Sequence, residues 1–137
     1  MTNRHTPTMI PYGLPQLLWV GLGGFLGSIG RFVVAGFFNR LIPTLAFPIG
    51  TLAVNILGCF LIGLLHGVAE SRNILGTDTR IFLFIGVLGG FTTFSTFGFE
   101  SLALLKDGAM LKASANIIIH VFVGLAAVWL GDTLGRL

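Results

Sequence analysis

Charged side chains are scarce in this sequence, and their scarcity excludes an ordinary soluble protein. Only 9% of the 137 residues are Asp, Glu, Lys or Arg, whereas 54% are hydrophobic. Soluble domains carry roughly 25% charged residues, so the composition indicates an integral membrane protein. The net charge of +3 is dispersed along the chain, without the clustered bases that bind nucleic acid. We therefore expect a lipid bilayer, and no nucleic acid, as a partner.

Cysteine and carboxylate side chains are also rare. The one cysteine, Cys59, cannot form an intrachain disulfide, and packing is its simplest role. The five carboxylates are spread along the chain, and no nucleophile, base and orienting group come together in sequence. We therefore expect no enzyme. None of the carboxylates lies between Leu14 and Phe38, where a small proton-coupled multidrug exporter would need one in its first span.

Long hydrophobic runs are abundant, and four of them approach the roughly 20 residues that a membrane-spanning helix needs. The runs cover Leu14–Phe38, Phe47–Val68, Ile81–Leu105 and Ala113–Leu130. They predict an all-α protein with one four-helix transmembrane domain over residues 14–137, preceded by a short flexible tail over residues 1–13. No small-x-small cleavage site follows the first run, so we expect it to stay as a span. The expected location is the cell membrane, inner or plasma, with several passes.

The basic residues do not select one orientation in the membrane. Four spans place both termini on the same side, and the positive-inside rule compares the basic residues of the two sides. The count is four against three: Arg4, Arg72, Arg80 and Arg136 against Arg40, Lys106 and Lys112. This balance predicts a chain that inserts both ways and forms an antiparallel, dual-topology homodimer. The alternative is that one well-placed charge decides the orientation.

The third span has a composition that breaks helices. Its middle contains the adjacent glycines Gly89 and Gly90, followed by four hydroxyl side chains within residues 92–96. Glycine costs about 1 kcal/mol relative to alanine inside a helix, and hydroxyl groups compete for backbone hydrogen bonds. Irregular backbone inside a membrane is tolerated where it is buried in protein or lines a cavity. The sequence therefore predicts a helix broken at mid-membrane, with an ion or substrate site at the break.

Polar and aromatic side chains lie at helical spacing around this predicted break. Thr51 and Asn55 are one turn apart in the second span, and Asn116 and His120 are one turn apart in the fourth. Such stripes face the helix bundle, but spacing alone does not decide between lining a pathway and packing. Phe94 and Phe97 share one helical face, and their ring edges carry partial positive charge. Hydroxyl groups, an amide and ring edges together attract an anion without fixed cations.

Three motifs resemble the CrcB/Fluc family of fluoride channels: GGFLGSIGR at Gly23–Arg31, GTLAVNILGCF at Gly50–Phe60 and GGFTTFSTFGFE at Gly89–Glu100. The resemblance extends from Gly23 to Gly131. It implies a passive, fluoride-selective channel that exports fluoride and lowers its cytoplasmic concentration. It also implies a dual-topology homodimer with two pores and a central structural sodium ion.

The resemblance also implies roles for single residues. Backbone oxygens of Gly89 and Thr92 would bind sodium, and a two-fold pair of chains would supply four such oxygens. The fluoride pathway would comprise the rings of Phe94 and Phe97, the Asn55 amide, the polar groups of Thr51, Ser95 and Thr96, and Glu100 near a pore end.

The fourth span departs from the family pattern. Asn116 and His120 stand where relatives often carry Tyr and Ser, so their place on the polar track is open. Because histidine changes its charge near neutral pH, the flux through a pathway that contains His120 is expected to depend on pH at about 6–7. The remaining alternatives are a small four-helix transporter similar to multidrug exporters, and a non-conducting membrane assembly subunit in which the glycines and hydroxyl groups only pack.

Overall fold

Helices account for most of the chain that the structure describes. The computed structural model describes residues 13–43 and 46–137, so the predicted tail over residues 1–13 lies outside the described residues except for Gly13. In chain order the elements are α1 (Leu14–Leu41), α2 (Ile49–Arg72), α3 (Thr77–Arg80), a π-helix (Ile81–Leu88), α4 (Gly89–Phe91), α5 (Phe94–Lys106) and α6 (Met110–Gly135).

Four helical stretches are long and apolar enough to cross a membrane, which confirms the four predicted spans. They cover Leu14–Leu41, Ile49–Arg72, Thr77–Lys106 and Met110–Gly135, with mean hydropathies between 1.6 and 2.1. The shortest has 24 residues and is about 36 Å long, enough for a hydrocarbon core of about 30 Å.

The predicted bounds need correction. The second helix begins later than predicted, at Ile49, directly after Pro48. The first helix begins at Leu14, as predicted. The remaining ends extend beyond the predicted ranges because helical hydrogen bonding continues past the apolar core into polar residues such as Arg72 and Lys106.

The helices pack as two close pairs, α1 with the π-helix and α4, and α2 with α6. Glycine residues make the close approach of the helices possible in both pairs. A Cβ atom at Gly23 would lie 2.6 Å from the carbonyl oxygen of Phe82, and one at Gly63 would overlap the carbonyl oxygen of Val128. Small residues at such contacts let helix backbones approach closely where lipid provides no hydrophobic driving force. The π-helix therefore packs closely against α1, and α6 packs closely against α2.

The third span is broken, as predicted, within the stretch of glycines and hydroxyl residues, and the extended residues are Thr92 and Thr93. Gly89 and Gly90 belong to α4 and are helical. A Cβ atom at Gly90 would lie 2.6 Å from the carbonyl oxygen of Gly24, so this glycine serves close packing against α1. Before the break, the span adopts a π-helix over Ile81–Leu88, a feature that the sequence did not predict.

Candidate functional site

The break consists of two extended residues between α4 and α5. Thr92 has φ −79° and ψ 159°, and Thr93 has φ −150° and ψ 110°. Both the backbone N–H and the hydroxyl group of Thr92 donate to the carbonyl oxygen of Leu88, each at 3.0 Å. Thr93 caps α5, because its Oγ1 accepts the N–H of Thr96 at 3.3 Å, and threonine is a favourable residue at this position. The threonines therefore terminate one helix and start the next.

Asn55 of α2 holds the break in place. Its Oδ1 accepts the N–H of Thr93 at 2.8 Å, and its Nδ2 donates to the carbonyl oxygen of Thr93 at 3.0 Å. The side-chain amide thus pairs with both backbone polar groups of Thr93, as a neighbouring strand would. Unpaired backbone groups cost several kcal/mol each in a bilayer, so this pairing makes the extended conformation tolerable. One Nδ2 hydrogen remains available for a further acceptor.

At the break, two backbone carbonyl groups lose the N–H donors that they would have in a continuous helix. In a continuous helix, the N–H of Thr93 would donate to Gly89, and the N–H of Thr96 would donate to Thr92. Here the first donates to Asn55 and the second to the Thr93 side chain. The carbonyl oxygens of Gly89 and Thr92 therefore lack their regular helical donors. Neutral backbone oxygens of this kind coordinate small hard cations such as sodium.

A cavity of about 360 Å³ lies beside the break. It is bounded by α2, the π-helix, α5 and α6, and its lining is mostly apolar. The polar side chains of the lining are Asn55, Cys59, Thr92, Thr93 and His120. Gly89, Phe94 and Phe97 also line it, so six of the residues predicted for the site meet here.

Three aromatic rings form a row along this cavity. The ring centroids of Phe94 and Phe97 are 5.5 Å apart, and those of Phe97 and His120 are 4.3 Å apart. The predicted common face of Phe94 and Phe97 is therefore confirmed, and His120 of α6 adds a third ring. Phe94 is 83% exposed in the single chain, so the cavity is open on that side.

Thr51 and Glu100 form a pair between α2 and α5 that the sequence did not connect. The hydroxyl group of Thr51 donates to Oε1 of Glu100 at 2.7 Å. Oε2 of Glu100 is buried and has no partner within residues 13–43 and 46–137. Thr51 lies one turn before Asn55, and Glu100 lies three residues after Phe97. The pair therefore continues the polar surface along the same two helices, beyond the residues that line the cavity.

The two polar residues of the α6 stripe, Asn116 and His120, have different surroundings. Asn116 is completely buried, and its Nδ2 donates to Oγ of Ser101 at 2.9 Å. Ser101 in turn donates to the carbonyl oxygen of Phe97 at 2.8 Å. Asn116 thus braces α5 behind the aromatic row, whereas His120 lines the cavity. Sequence reasoning missed Ser101, whose position one turn after Phe97 is its only local signal.

The other predicted residues lie apart from the cavity lining. Ser95 is exposed, and Thr96 takes part in the cap of α5. Arg31, the last residue of the first motif and not a predicted site residue, is half-buried in α1 and forms no ion pair within the described part of the chain.

The fold and the site define an integral membrane protein with polar groups gathered at a broken helix inside its bundle. Residues 18–132 match the family model described as CrcB-like protein, Camphor Resistance (CrcB). The chain belongs to the CrcB family, as the sequence motifs predicted, and it is a multi-pass protein of the cell membrane.

Its relatives cover nearly the whole chain. A protein of Methylobacillus flagellatus is 43% identical over 122 residues, which make up 89% of this chain and 95% of the relative. A protein of Nitratidesulfovibrio vulgaris is 44% identical over 90% of this chain and 99% of the relative. A protein of Campylobacter lari is 46% identical over 84% of this chain and 93% of the relative. Each of these relatives is named fluoride-specific ion channel FluC.

Proposed function

We propose that this protein is a fluoride-selective passive channel that lowers cytoplasmic fluoride by letting it leave down its electrochemical gradient. The observation that carries the proposal is the aromatic row of Phe94, Phe97 and His120 beside the Asn55 amide. The names of the relatives support the choice of fluoride as the ion.

The chemistry of the cavity suits a small, strongly hydrated anion. Such an ion enters a narrow path only if donors replace its water, and the free Nδ2 hydrogen of Asn55 and the ring edges of Phe94 and Phe97 are such donors. The amino terminus of α5 also lies at the break, where the helix dipole favours negative charge.

The absence of a fixed charge favours rapid passage. No Lys or Arg is among the cavity-lining residues in the part of the chain that the structure describes. A permanently charged Lys or Arg would hold the ion firmly at every pH, whereas ring edges and amide hydrogens attract it weakly at successive positions. Selectivity over chloride then follows from the width of the path and the strength of the coordinating groups.

The functional unit in this proposal is an antiparallel homodimer with two pathways. The even distribution of basic residues supports insertion in both orientations. The exposure of Phe94 supports a second chain as well, because this ring lines the cavity and yet is mostly uncovered in one chain. A second copy packed against α5 would close the cavity on that side.

A structural sodium ion belongs to the same proposal. The carbonyl oxygens of Gly89 and Thr92 fit a hard cation, because their regular helical donors are engaged elsewhere. One chain supplies two oxygens, and two chains related by a two-fold axis supply four. The bound ion would neutralise the carbonyl dipoles at the two breaks and so stabilise the dimer.

Fluoride efflux from liposomes tests the proposed function. Phe94→Ile and Phe97→Ile keep the bulk of the side chains and remove the polar ring edges, so we expect fluoride efflux to collapse while the protein folds and elutes normally. Phe99→Ile is the matched control, since Phe99 lies on the same helix, is 73% exposed and does not line the cavity. Parent-like efflux from both test variants would refute the aromatic pathway, and a parent protein without efflux would refute the function.

A further inference from the structure

A hydrogen bond to one ring nitrogen of His120 indicates which tautomer the neutral ring adopts. Its Nδ1 lies 2.9 Å from the backbone carbonyl oxygen of Asn116, one turn earlier on α6. A carbonyl oxygen only accepts hydrogen bonds, so Nδ1 carries a hydrogen. In the neutral ring, Nε2 is then the nitrogen without a proton.

This second nitrogen has no partner in the part of the chain that the structure describes. Nε2 is buried and makes no hydrogen bond to any residue of 13–43 or 46–137, although the ring belongs to the cavity lining and stacks on Phe97. A buried polar atom without a partner is costly. After protonation, Nε2–H would be a donor in the same position, and its acceptor would have to come from the cavity.

Few charged or titratable groups surround the ring. On α2, Cys59 lines the same cavity, and on α5, Glu100 is bonded to Thr51. The part of the π-helix in the cavity lining is Phe84 and Leu88, which do not titrate. The nearest charged residues of α6 are Lys112 and Asp132, about 12 and 18 Å away along the helix axis. Protonated His120 would therefore be the one cation of the lining within the described residues.

We propose that His120 is a proton-linked fluoride-binding position. Nε2 takes up a proton from hydronium in solution, which leaves water, and a fluoride ion in the cavity accepts the hydrogen bond from Nε2–H beside Phe97. The pair is neutral overall, and no covalent bond other than N–H forms. This inference rests on the proposed function and adds to it a third position after the two phenylalanine rings.

The proposal predicts the direction in which fluoride affinity changes with pH. Protonation adds attraction for the anion, so fluoride affinity rises as the pH falls and the His120 ring takes up its proton. By linkage, bound fluoride must favour protonation of His120 by the same factor. Asn116 does not titrate and only orients the ring through its backbone, so a pH dependence that His120→Gln removes belongs to His120.

Histidine side-chain NMR directly tests the coupling between fluoride binding and protonation of His120. The sample is the full-length protein in detergent, in a buffer that contains sodium ions. We expect saturating fluoride to raise the titration midpoint of the His120 ring by about one pH unit, which equals a tenfold preference of fluoride for the protonated form. Chloride at the same concentration should not do so. His66 is the internal control, because it pairs with Asp132 at 2.8 Å and lies outside this cavity. An unchanged His120 midpoint in saturating fluoride would overturn the proposal.

Flux at subsaturating fluoride provides the second measurement, with protein-free liposomes to subtract the leak of hydrogen fluoride. Parent efflux should increase as the pH falls, His120→Gln should conduct with a flat profile, and His66→Gln should keep the parent profile. A parent profile that survives in His120→Gln would refute the binding position and leave the channel function standing. A parent protein that never conducts would refute the channel function itself.

Discussion

Replacing Asn55 by alanine should loosen the break in the third span. The change removes two hydrogen bonds to Thr93, of 2.8 and 3.0 Å, and leaves both backbone groups of that residue unpaired. Hydrogen bonds between membrane helices contribute about 0.6 kcal/mol on average and at most about 1.7 kcal/mol. For two bonds we expect a loss of about 1 to 3 kcal/mol in the free energy of unfolding.

The same change should appear locally in hydrogen exchange. The Thr93 amide is protected by Asn55 Oδ1, so its exchange in detergent should accelerate by about 5- to 150-fold, the factor that corresponds to 1 to 3 kcal/mol. Asn55→Asp is the informative intermediate, because its carboxyl group still accepts the Thr93 N–H through one oxygen in either protonation state. Thr93 protection in this variant should remain closer to that of the parent.

Asn116→Ala is the matched control for the Asn55 variants. It also removes a buried amide, but its partner is Ser101, so Thr93 protection should stay as in the parent. If Asn55→Ala unfolded at the parent's denaturant concentration and Thr93 exchanged at the parent's rate, the amide would not be what holds the break.

Two further predictions concern the assembly. Topology reporters fused to the carboxyl terminus should appear on both sides of the membrane because the basic residues are balanced; a single orientation would exclude the antiparallel dimer. Replacing sodium with a large organic cation should lower the temperature at which the dimer dissociates, because the Gly89 and Thr92 oxygens would lose their ion; equal stability in both salts after prolonged dialysis would contradict the sodium site.

Local sequence determined the spans and the neighbourhood of the site. Inside a bilayer, an apolar run of about 20 residues satisfies its backbone polar groups by forming a helix, so four such helices were predictable. Phe94 and Phe97 share a face because three residues make nearly one helical turn. The three motifs by themselves indicated the family. Each of these conclusions depends only on residues close together in the chain or on the resemblance.

Only the tertiary structure decided where the third span breaks. The glycines at 89 and 90 and the hydroxyl residues at 92–96 all favoured a break, yet Gly89 and Gly90 are helical, and Gly90 serves the close approach of α1. The extended residues are Thr92 and Thr93, where Asn55 replaces the lost backbone partners from 38 positions away. A helix breaks inside a membrane where another helix supplies hydrogen bonds, and sequence spacing does not reveal that partner.

Tertiary contacts also explain why Asn116 and His120 have different roles. Both lie on one stripe of α6 and look equivalent in sequence, but Asn116 meets Ser101 of α5 and is completely buried, whereas His120 meets the cavity and Phe97. Thr51 and Glu100 likewise carry no sign in sequence that they pair. The sequence determined which side chains face the bundle, and the packing of α2, α5 and α6 decided which of them brace it and which reach the cavity.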